Sequence, residues 1–201
     1  MARPPLTEKQ KAKMKGDIRR AALRLKDKRE SEPITVRAVA AEAGVSVGTF
    51  YSYYGSLAEL TQSTWKEPVD ELRRKIERLA EKTSDPVIRI QKVLECYARF
   101  EKEKRLAFKS AFLFVRQPYM SEPIKEPIKN EAFFIILRDS IEEGQAAGVI
   151  REGDSTEMAQ LLWSAIHGAL ALPYHLDRYN FYPSQKLAKK MATFLVESIS
   201  N

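Results

Sequence analysis

Residues 34–54 read ITVRAVAAEAGVSVGTFYSYY, and their spacing predicts two short helices joined by a tight turn. Thr35 is a good N-cap residue, and the apolar side chains after it recur at positions i, i+3, i+4 and i+7, along one face of a helix. Gly44 ends this helix, because glycine adopts the left-handed conformation of a C-terminal cap without steric cost. Val45 can then supply the hydrophobic contact that usually follows such a cap.

The second helix follows Ser46, another N-cap residue. At about 100° per residue, Val47, Phe50 and Tyr54 share one face, which we expect to pack into the core. The opposite face is uncharged and hydrogen-bonding, and consists of Gly48, Thr49, Ser52 and Tyr53. This pattern leaves two interpretations open: an ordinary helical hairpin, or a helix-turn-helix whose second helix enters the DNA major groove.

The residues of this stretch resemble the DNA-binding segment of the TetR (tetracycline repressor) family of bacterial transcriptional regulators. Runs like ITVRAVAAEAGVS and GTFYSYY, followed by a short linker and a long helix, are characteristic of that family. The resemblance is specific as far as Leu60 and is one of layout beyond it. It implies that DNA is contacted by Thr35, Arg37, Ser46, Val47, Gly48, Thr49, Tyr51, Ser52 and Tyr53.

Within that set, Arg37 suits a guanine or a phosphate, Thr49 a thymine methyl group, and the tyrosines phosphates. The chain departs from the family at Leu57, where relatives usually carry a lysine or similar residue. The departure removes one phosphate contact, and the basic first helix is expected to compensate.

Positive charge is concentrated beside this stretch. The chain has 201 residues and a net charge of +7, and residues 3–29 alone hold eleven lysines and arginines against three acidic residues. Such a run is often only a solvated helix face, but it also releases counterions when DNA lies against it. The charge distribution therefore favours a polyanionic partner without proving one.

Composition excludes several other classes. Hydrophobic residues make up 44% of the chain, and its longest apolar runs, residues 111–115 and 132–137, are far below the roughly 20 residues of a membrane span. Residues 1–15 are basic and lack the apolar core of a secretory signal, and Cys96 is a single cysteine that cannot form an internal disulfide. We therefore expect a cytoplasmic protein without a membrane segment.

The remaining sequence predicts an all-α fold of about nine helices, since no strand-like alternation persists. Thr7 and Gln10 form a capping box that opens the first helix, and Ser56 and Glu59 form another that opens a long helix towards Lys82. We expect Pro68 to kink that helix. A later helix is predicted to begin at Pro86 and to place Val87, Ile90, Leu94 and Tyr97 on its inner face. Further helices are predicted at residues 106–116, 131–147, 155–172 and 184–199, with prolines 118, 123 and 127 breaking the chain and Pro173 closing a helix.

The resemblance implies two domains: a three-helix DNA-binding domain at residues 1–55 and an effector-binding and dimerisation domain at residues 56–201. The last two helices would pair with those of a second copy, where small residues allow close approach. Those small residues are Ser164, Ala165, Gly168, Ala169 and Ala171. The last helix carries Leu187, Met191, Phe194 and Leu195.

The chain offers little to a catalytic interpretation, because no phosphate-binding loop, nucleophile motif or cysteine cluster is present. His167 and His175 are eight residues apart, about 12 Å along a helix, which is too far to share a metal ion. We expect no enzyme activity, no cofactor and no metal. His167 is expected to be a satisfied core or pocket histidine.

Aromatic residues in the second domain are individually most simply explained by packing. Under the resemblance, they line a cavity for an apolar or aromatic small-molecule effector. The expected lining is Trp65, Tyr97, Phe100, Phe108, Phe112, Phe133, Phe134, Trp163 and His167.

These observations predict a homodimeric regulator, a repressor released from a near-palindromic, double-stranded operator by its effector. Two other classes stay open: a DNA-coating protein without sequence preference, and a helical small-molecule-binding protein or enzyme without DNA function. Equal affinity for operator and random DNA would indicate the first of these, and activity that survives R37A and Y53F the second. No motif in the sequence identifies the effector, the operator, the regulated genes or the direction of regulation.

Overall fold

The structure is a computed structural model that describes residues 7–28, 34–113, 131–176 and 178–201. Within these residues the chain forms nine α-helices and no strand, apart from an isolated antiparallel bridge between Ile150 and Ser200, so the all-α prediction is confirmed. The helices are α1 (Glu8–Lys28), α2 (Val36–Glu42), α3 (Val47–Tyr51), α4 (Leu57–Glu81), α5 (Pro86–Glu103), α6 (Arg105–Phe112), α7 (Ala132–Ala146), α8 (Ser155–His175) and α9 (Ser184–Ile199).

Several predicted helix ends are confirmed by their hydrogen bonds. The Gln10 N–H donates to Thr7 Oγ1 at 3.3 Å while the Thr7 N–H donates to Gln10 Oε1 at 2.8 Å, which is the expected capping box. Asp85 accepts from the Ile88 N–H at 2.9 Å, and Asp154 accepts two backbone N–H groups at the start of α8. Short polar side chains thus set where these helices begin.

Helix α4 contains Pro68, as the prediction of one long helix requires, and the expected kink there stays a prediction. Helix α8 continues through Pro173 to His175, so the prediction that Pro173 closes the helix is wrong. A proline that lies within three residues of a helix C-terminus removes only one backbone hydrogen bond, and the surrounding helix tolerates that loss. Helix α6 ends at Phe112, earlier than predicted. The segment that prolines 118, 123 and 127 are predicted to break lies outside the described residues.

Contacts between residues divide the chain into two compact units. The first comprises residues 1–69 and 106–122, and the second comprises residues 70–105 and 123–201. These units are defined by contacts alone. The boundary predicted after Gly55, between a DNA-binding and an effector-binding domain, stays a prediction.

The first unit has a core in which α1, α2, α3 and the start of α4 meet, and we call these four segments the head. Its buried side chains are Ile18, Ala22, Leu25, Ile34, Val39, Phe50, Tyr54 and Leu60. The first-helix stripe predicted from the sequence, Ile18, Ala21, Ala22 and Leu25, is buried as expected.

The second unit is built on α5, which packs against α7, α8 and α9, while α8 also packs against α7 and α9. In α9 the buried residues are Ala188, Ala192, Val196 and Ile199, whereas Phe194 is 63% exposed. Of the other apolar residues of α9, Leu187, Met191 and Leu195 are half-buried. The small side chains of Ala188 and Ala192 let α9 approach α5 and α8 closely.

Candidate nucleic-acid interface and aromatic cluster

The turn between α2 and α3 is held by a complete set of caps. Thr35 Oγ1 accepts from the Ala38 N–H at 3.2 Å at the start of α2. At its end, the Val45 N–H donates to Ala40 O at 2.9 Å and Gly44 has a φ of +68°, which is the left-handed cap that the sequence predicted. Val45 packs against the head core, as expected. This geometry fixes the direction in which α3 leaves the turn.

Helix α3 differs from its prediction in two respects. It covers only Val47–Tyr51, so Tyr54 lies beyond it, although Phe50 and Tyr54 are fully buried as expected. Val47 was expected in the core but is 40% exposed. The reason is that Val45 in the turn and Phe50 one turn later already contribute to the core next to Val47.

The residues predicted to contact DNA lie on the surface of the head. Thr35, Arg37, Ser46, Val47, Gly48, Tyr51 and Ser52 are exposed. Thr49 and Tyr53 are half-buried, and Tyr53 packs against the head core. The head therefore displays most of the predicted contacts around the start of α3, while Tyr53 has a structural role as well.

The hydroxyl groups on this surface already have partners inside the head. Ser46 Oγ accepts from the Thr49 N–H at 2.9 Å and also bonds Thr49 Oγ1 at 2.9 Å. The Ser52 hydroxyl donates to Gly48 O at 3.1 Å. The exposed parts of α3 that take no part in these hydrogen bonds are the Val47 side chain, the open space where Gly48 lacks a side chain, and the Tyr51 ring.

The basic first helix is partly neutralised by ion pairs within the head. Arg24 and Lys28 both pair with Glu42 of α2, at 2.8 and 3.7 Å. Their proximity, above all the hydrogen bond from Arg24, lowers the pKa of the Glu42 carboxyl. Other cations pair with acids on α1 or α4, namely Lys11 with Glu8, Arg20 with Asp17 and Arg19 with Glu67.

Among the described residues, Lys9, Lys13, Lys15 and Arg37 are exposed and form no ion pair. Lys15 instead lies over the Tyr54 ring, with its ammonium group 5.2 Å from the ring centre. Leu57, the departure from the family pattern, is partly buried against the head core. The free cations available for phosphate thus come from α1 and α2.

Four of the predicted pocket residues form a cluster in the second unit, which we call the aromatic cluster: Tyr97, Phe133, Trp163 and His167. Tyr97 lies 5.2 Å from Phe133 between ring centres, and Trp163 lies 6.2 Å from Phe133 and 6.3 Å from His167. The Tyr97 hydroxyl contacts His167 Nδ1 at 2.9 Å. The indole N–H of Trp163 is buried near the Tyr97 hydroxyl, whose pKa burial raises and this interaction lowers to a smaller extent, but it forms no hydrogen bond of good geometry.

Electrostatics keeps the polar groups of the aromatic cluster uncharged. Burial raises the pKa of Tyr97 well above its usual range, so the hydroxyl stays protonated. Burial, with a contribution from nearby His175, lowers the pKa of His167, so the imidazole is neutral at pH 7. The cluster can therefore supply hydrogen bonds to a ligand without supplying a positive charge.

The other predicted pocket residues have different surroundings. Phe100 and Phe134 are buried in the second unit, at 5% and 1% exposed. Trp65, Phe108 and Phe112 belong to the first unit, where Phe108 and Phe112 pack together with ring centres 5.3 Å apart. The structure thus brings four predicted pocket residues together in the aromatic cluster and pairs two others, Phe108 and Phe112, in the first unit.

The sequence reading overlooked a buried polar group, Glu101, which is 5% exposed. It accepts from the Tyr174 hydroxyl and from Gln185 Nε2, the latter at 2.7 Å, and so joins α5 to α8 and α9. Burial raises the pKa of Tyr174, and the bond to Glu101 raises it further. A signal was present, because Glu101 follows Leu94 and Tyr97 on the inner stripe of α5.

Two negative findings concern the described residues. No group of three or more His, Cys, Asp and Glu side chains there is placed to hold a metal ion. Each helix in those ranges is also too short or too polar to cross a membrane.

Comparison with known proteins finds a family model that matches part of the chain. Residues 18–63, most of the head, match the model of the family described as bacterial regulatory proteins, tetR family. No relative is found among curated protein sequences.

Solved structures match over nearly the whole chain. A transcriptional regulator FadR from Bacillus subtilis, in complex with stearoyl-CoA, superposes with a TM-score of 0.71 at 19% identity over 92% of this chain and 98% of that one. A TetR transcription regulator from Haloarcula marismortui gives 0.70 at 20% identity over 94% and 100%. The fatty acid degradation regulator FadR from Bacillus halodurans gives 0.71 at 17% identity over 98% and 97%. At these identities the likeness establishes the fold.

Proposed function

We propose that this chain, a DNA-binding transcriptional regulator that carries the DNA-binding region of the tetR family, acts as a homodimeric repressor released from a near-palindromic operator by a small molecule. The observation that carries the DNA-binding part is the head surface. A capped turn there exposes the start of α3, and the same head carries exposed Arg37 on α2 and exposed lysines on α1. No acidic residue occurs between Ala43 and Ala58, so nothing on that stretch repels phosphate.

Each group on the head surface has a role that its chemistry fits. Arg37 binds a guanine edge or a phosphate, and Lys9 and Lys13 bind phosphates. Tyr51, which is 54% exposed, lies one turn after Val47 and reaches a phosphate through its hydroxyl. The boundary between the DNA-binding and effector-binding domains lies after Gly55, before α4 begins. The protein acts in the cytoplasm, where it meets DNA.

The dimer forms through α8 and α9. Three large apolar side chains on these helices are exposed in the single chain: Leu161 at 59%, Leu172 at 45% and Phe194 at 63%. A second copy would remove them from water, and Ser164, Ala165 and Gly168, which are exposed or half-buried, would allow close helix approach. Two heads on one dimer would meet major grooves about one helical turn apart, which is why the operator is a near-palindrome.

The effector binds at the aromatic cluster. Phe133 and Trp163 are half-buried and offer apolar surface, and the Trp163 N–H is a buried donor that lacks a well-formed hydrogen bond. Because Tyr97 and His167 are uncharged, the cluster suits an apolar body that carries a neutral hydrogen-bond acceptor. The Bacillus subtilis structure holds stearoyl-CoA, so a long-chain acyl thioester is the first effector to try.

The deciding experiment is selection of bound DNA from a random duplex library by the full-length protein. A palindromic consensus is expected, and its enrichment should fall when stearoyl-CoA or a fractionated metabolite pool is added. Recovery of unselected sequence at matched salt would instead indicate a DNA-coating protein, since such a protein binds operator and random DNA equally. Retention of no DNA at all would favour a small-molecule-binding protein without DNA function.

A pair of matched variants tests whether the Trp163 N–H contacts the effector. Trp163→Phe keeps the apolar surface but removes the N–H, so release by the effector should weaken while operator binding without effector is unchanged. Tyr182→Phe, at an exposed aromatic residue of the same unit, serves as the control. Equal response of both variants would remove the Trp163 N–H from the effector contacts.

A further inference from the structure

Helix α3 already uses part of its hydrogen-bonding capacity within the head. Its short polar side chains, Ser46, Thr49 and Ser52, are bonded to each other or to Gly48 O. These internal bonds use part of the capacity of each hydroxyl, which can donate one hydrogen bond and accept two. A contact that does not depend on these hydroxyls is available from the apolar group that α3 exposes.

What α3 exposes at its start is apolar. Val47 is the first residue of the helix and is 40% exposed, and Gly48 beside it has open space where a side chain would be, with only Ser46 Oγ at 3.7 Å. The missing side chain at Gly48 lets DNA approach the backbone closely, which brings the Val47 methyl groups towards the floor of a groove. Surrounding cations on α1 and α2 favour DNA as the occupant of this surface.

In the major groove, the one apolar group on a base edge is the 5-methyl group of thymine. We propose that Val47 reads a thymine in each half of the operator by packing its methyl groups against that 5-methyl group, with Gly48 allowing the close approach. The inference rests on the proposed DNA-binding function and assigns to Val47, instead of Thr49, the thymine contact.

The test removes one methyl group at a time. Each thymine of the selected operator is replaced by deoxyuridine, which keeps base pairing and loses only the 5-methyl group. At one symmetric position, replacement in one half-site should weaken binding about 4-fold, and replacement in both should weaken it about 15-fold, as expected for a contact the size of a methyl group.

A mutational cycle identifies Val47 as the partner of that methyl group. Val47→Ala should weaken binding to the thymine operator but should add no further loss on the deoxyuridine operator, because the two changes remove the same contact. Val149→Ala is the matched control: Val149 is 42% exposed in the second unit and should show the full deoxyuridine effect. Circular dichroism melts of both variants check that the fold is kept.

The outcomes separate this inference from the proposed function. Additive losses in the cycle, a half-site without thymine, or indifference to deoxyuridine at every position would overturn the Val47 contact while operator binding stands. Failure to select any operator would overturn the proposed function, and the Val47 contact with it. Gly48→Ala should weaken binding of the thymine and deoxyuridine operators, and reduce the difference between them, if close approach is needed.

Discussion

The hydroxyl of Tyr97 and the Nδ1 atom of His167 lie 2.9 Å apart, between α5 and α8. Burial keeps the tyrosine protonated and the histidine neutral, which permits either direction of this bond. We assign the hydroxyl as donor and Nδ1 as acceptor, with the histidine proton on Nε2. In this tautomer His167 is a hydrogen-bond donor at its other nitrogen, with an orientation held by Tyr97.

Folding stability should depend on this pair as the pH falls. The pKa of His167 in the folded protein lies below its ordinary value of 6.5, so the unfolded chain binds the proton more readily. The free energy of unfolding therefore decreases as the pH drops through 6.5. His167→Phe should flatten this part of the stability profile measured by urea unfolding. His175→Phe, at an exposed position, should retain most of it because burial is the larger cause.

Removal of the tyrosine hydroxyl tests the same bond from its other side. Tyr97→Phe should lower the free energy of unfolding by about 1 kcal/mol, the usual net contribution of a hydrogen bond. The exposed Tyr182→Phe should change it by much less. A nitrogen NMR spectrum of His167 that shows a protonated Nδ1 would contradict the assigned direction of the bond.

Arg37→Ala should weaken operator binding about 10-fold, since Arg37 is exposed beside α3 and has no acidic partner among the described residues. Titrations at several salt concentrations decide its role. A guanine contact predicts a loss confined to the operator, whereas a phosphate contact predicts an equal loss on random DNA and a salt slope smaller by about 1. Arg151→Ala, also exposed but in the second unit, should leave both affinities unchanged.

Gly44→Ala should destabilise the head by about 1–2 kcal/mol, because a Cβ is strained at a φ of +68° even though no atom lies within 4 Å of it. Gly16→Ala in α1 should have the opposite sign, about 0.5–1 kcal/mol of stabilisation, since its Cβ would meet only the flexible end of Arg20 at 3.3 Å. Urea unfolding of both variants provides the comparison. Equal effects would show that the capped turn does not depend on the left-handed conformation.

Gln185→Ala should cost about 1.5–3 kcal/mol of stability, the range for a hydrogen bond to a charged group, because it leaves the buried Glu101 with only Tyr174. Gln160→Ala, on the exposed side of α8, is the control and should be near neutral. A small effect at Gln185 would mean that water replaces the lost donor.

Phe194→Glu should convert the dimer into monomers and weaken operator binding, because it places a charge on the exposed apolar part of α9. Ile88→Glu is the control and should leave the dimer intact. Ile88 is also a large apolar residue, 46% exposed, but it lies on α5, outside the proposed interface. Sedimentation velocity of the three proteins is the measurement. A Phe194→Glu protein that remains dimeric would place the interface elsewhere.

Local features of the sequence were sufficient for the helix-turn-helix. The caps at Thr35 and Ser46, the left-handed Gly44 and the buried Phe50 depend on neighbours within a few residues, so the chain itself determines them. The all-α fold was predictable for the same reason, because helical periodicity is written in consecutive residues. The residue-level resemblance then distinguished a DNA-reading segment from a helical hairpin.

Contacts between distant segments decided the rest. Val47 is exposed because Val45 and Phe50 contribute to the head core instead, and α9 turns Ala188 and Ala192 inward because α5 and α8 approach closely. Helical periodicity of 3.6 residues per turn predicts neither orientation. It gives the directions of side chains relative to each other but does not say which direction faces another helix. The carboxylate of Glu101 is buried for the same reason: Tyr174 and Gln185, more than seventy residues away, supply the donors that make its burial tolerable.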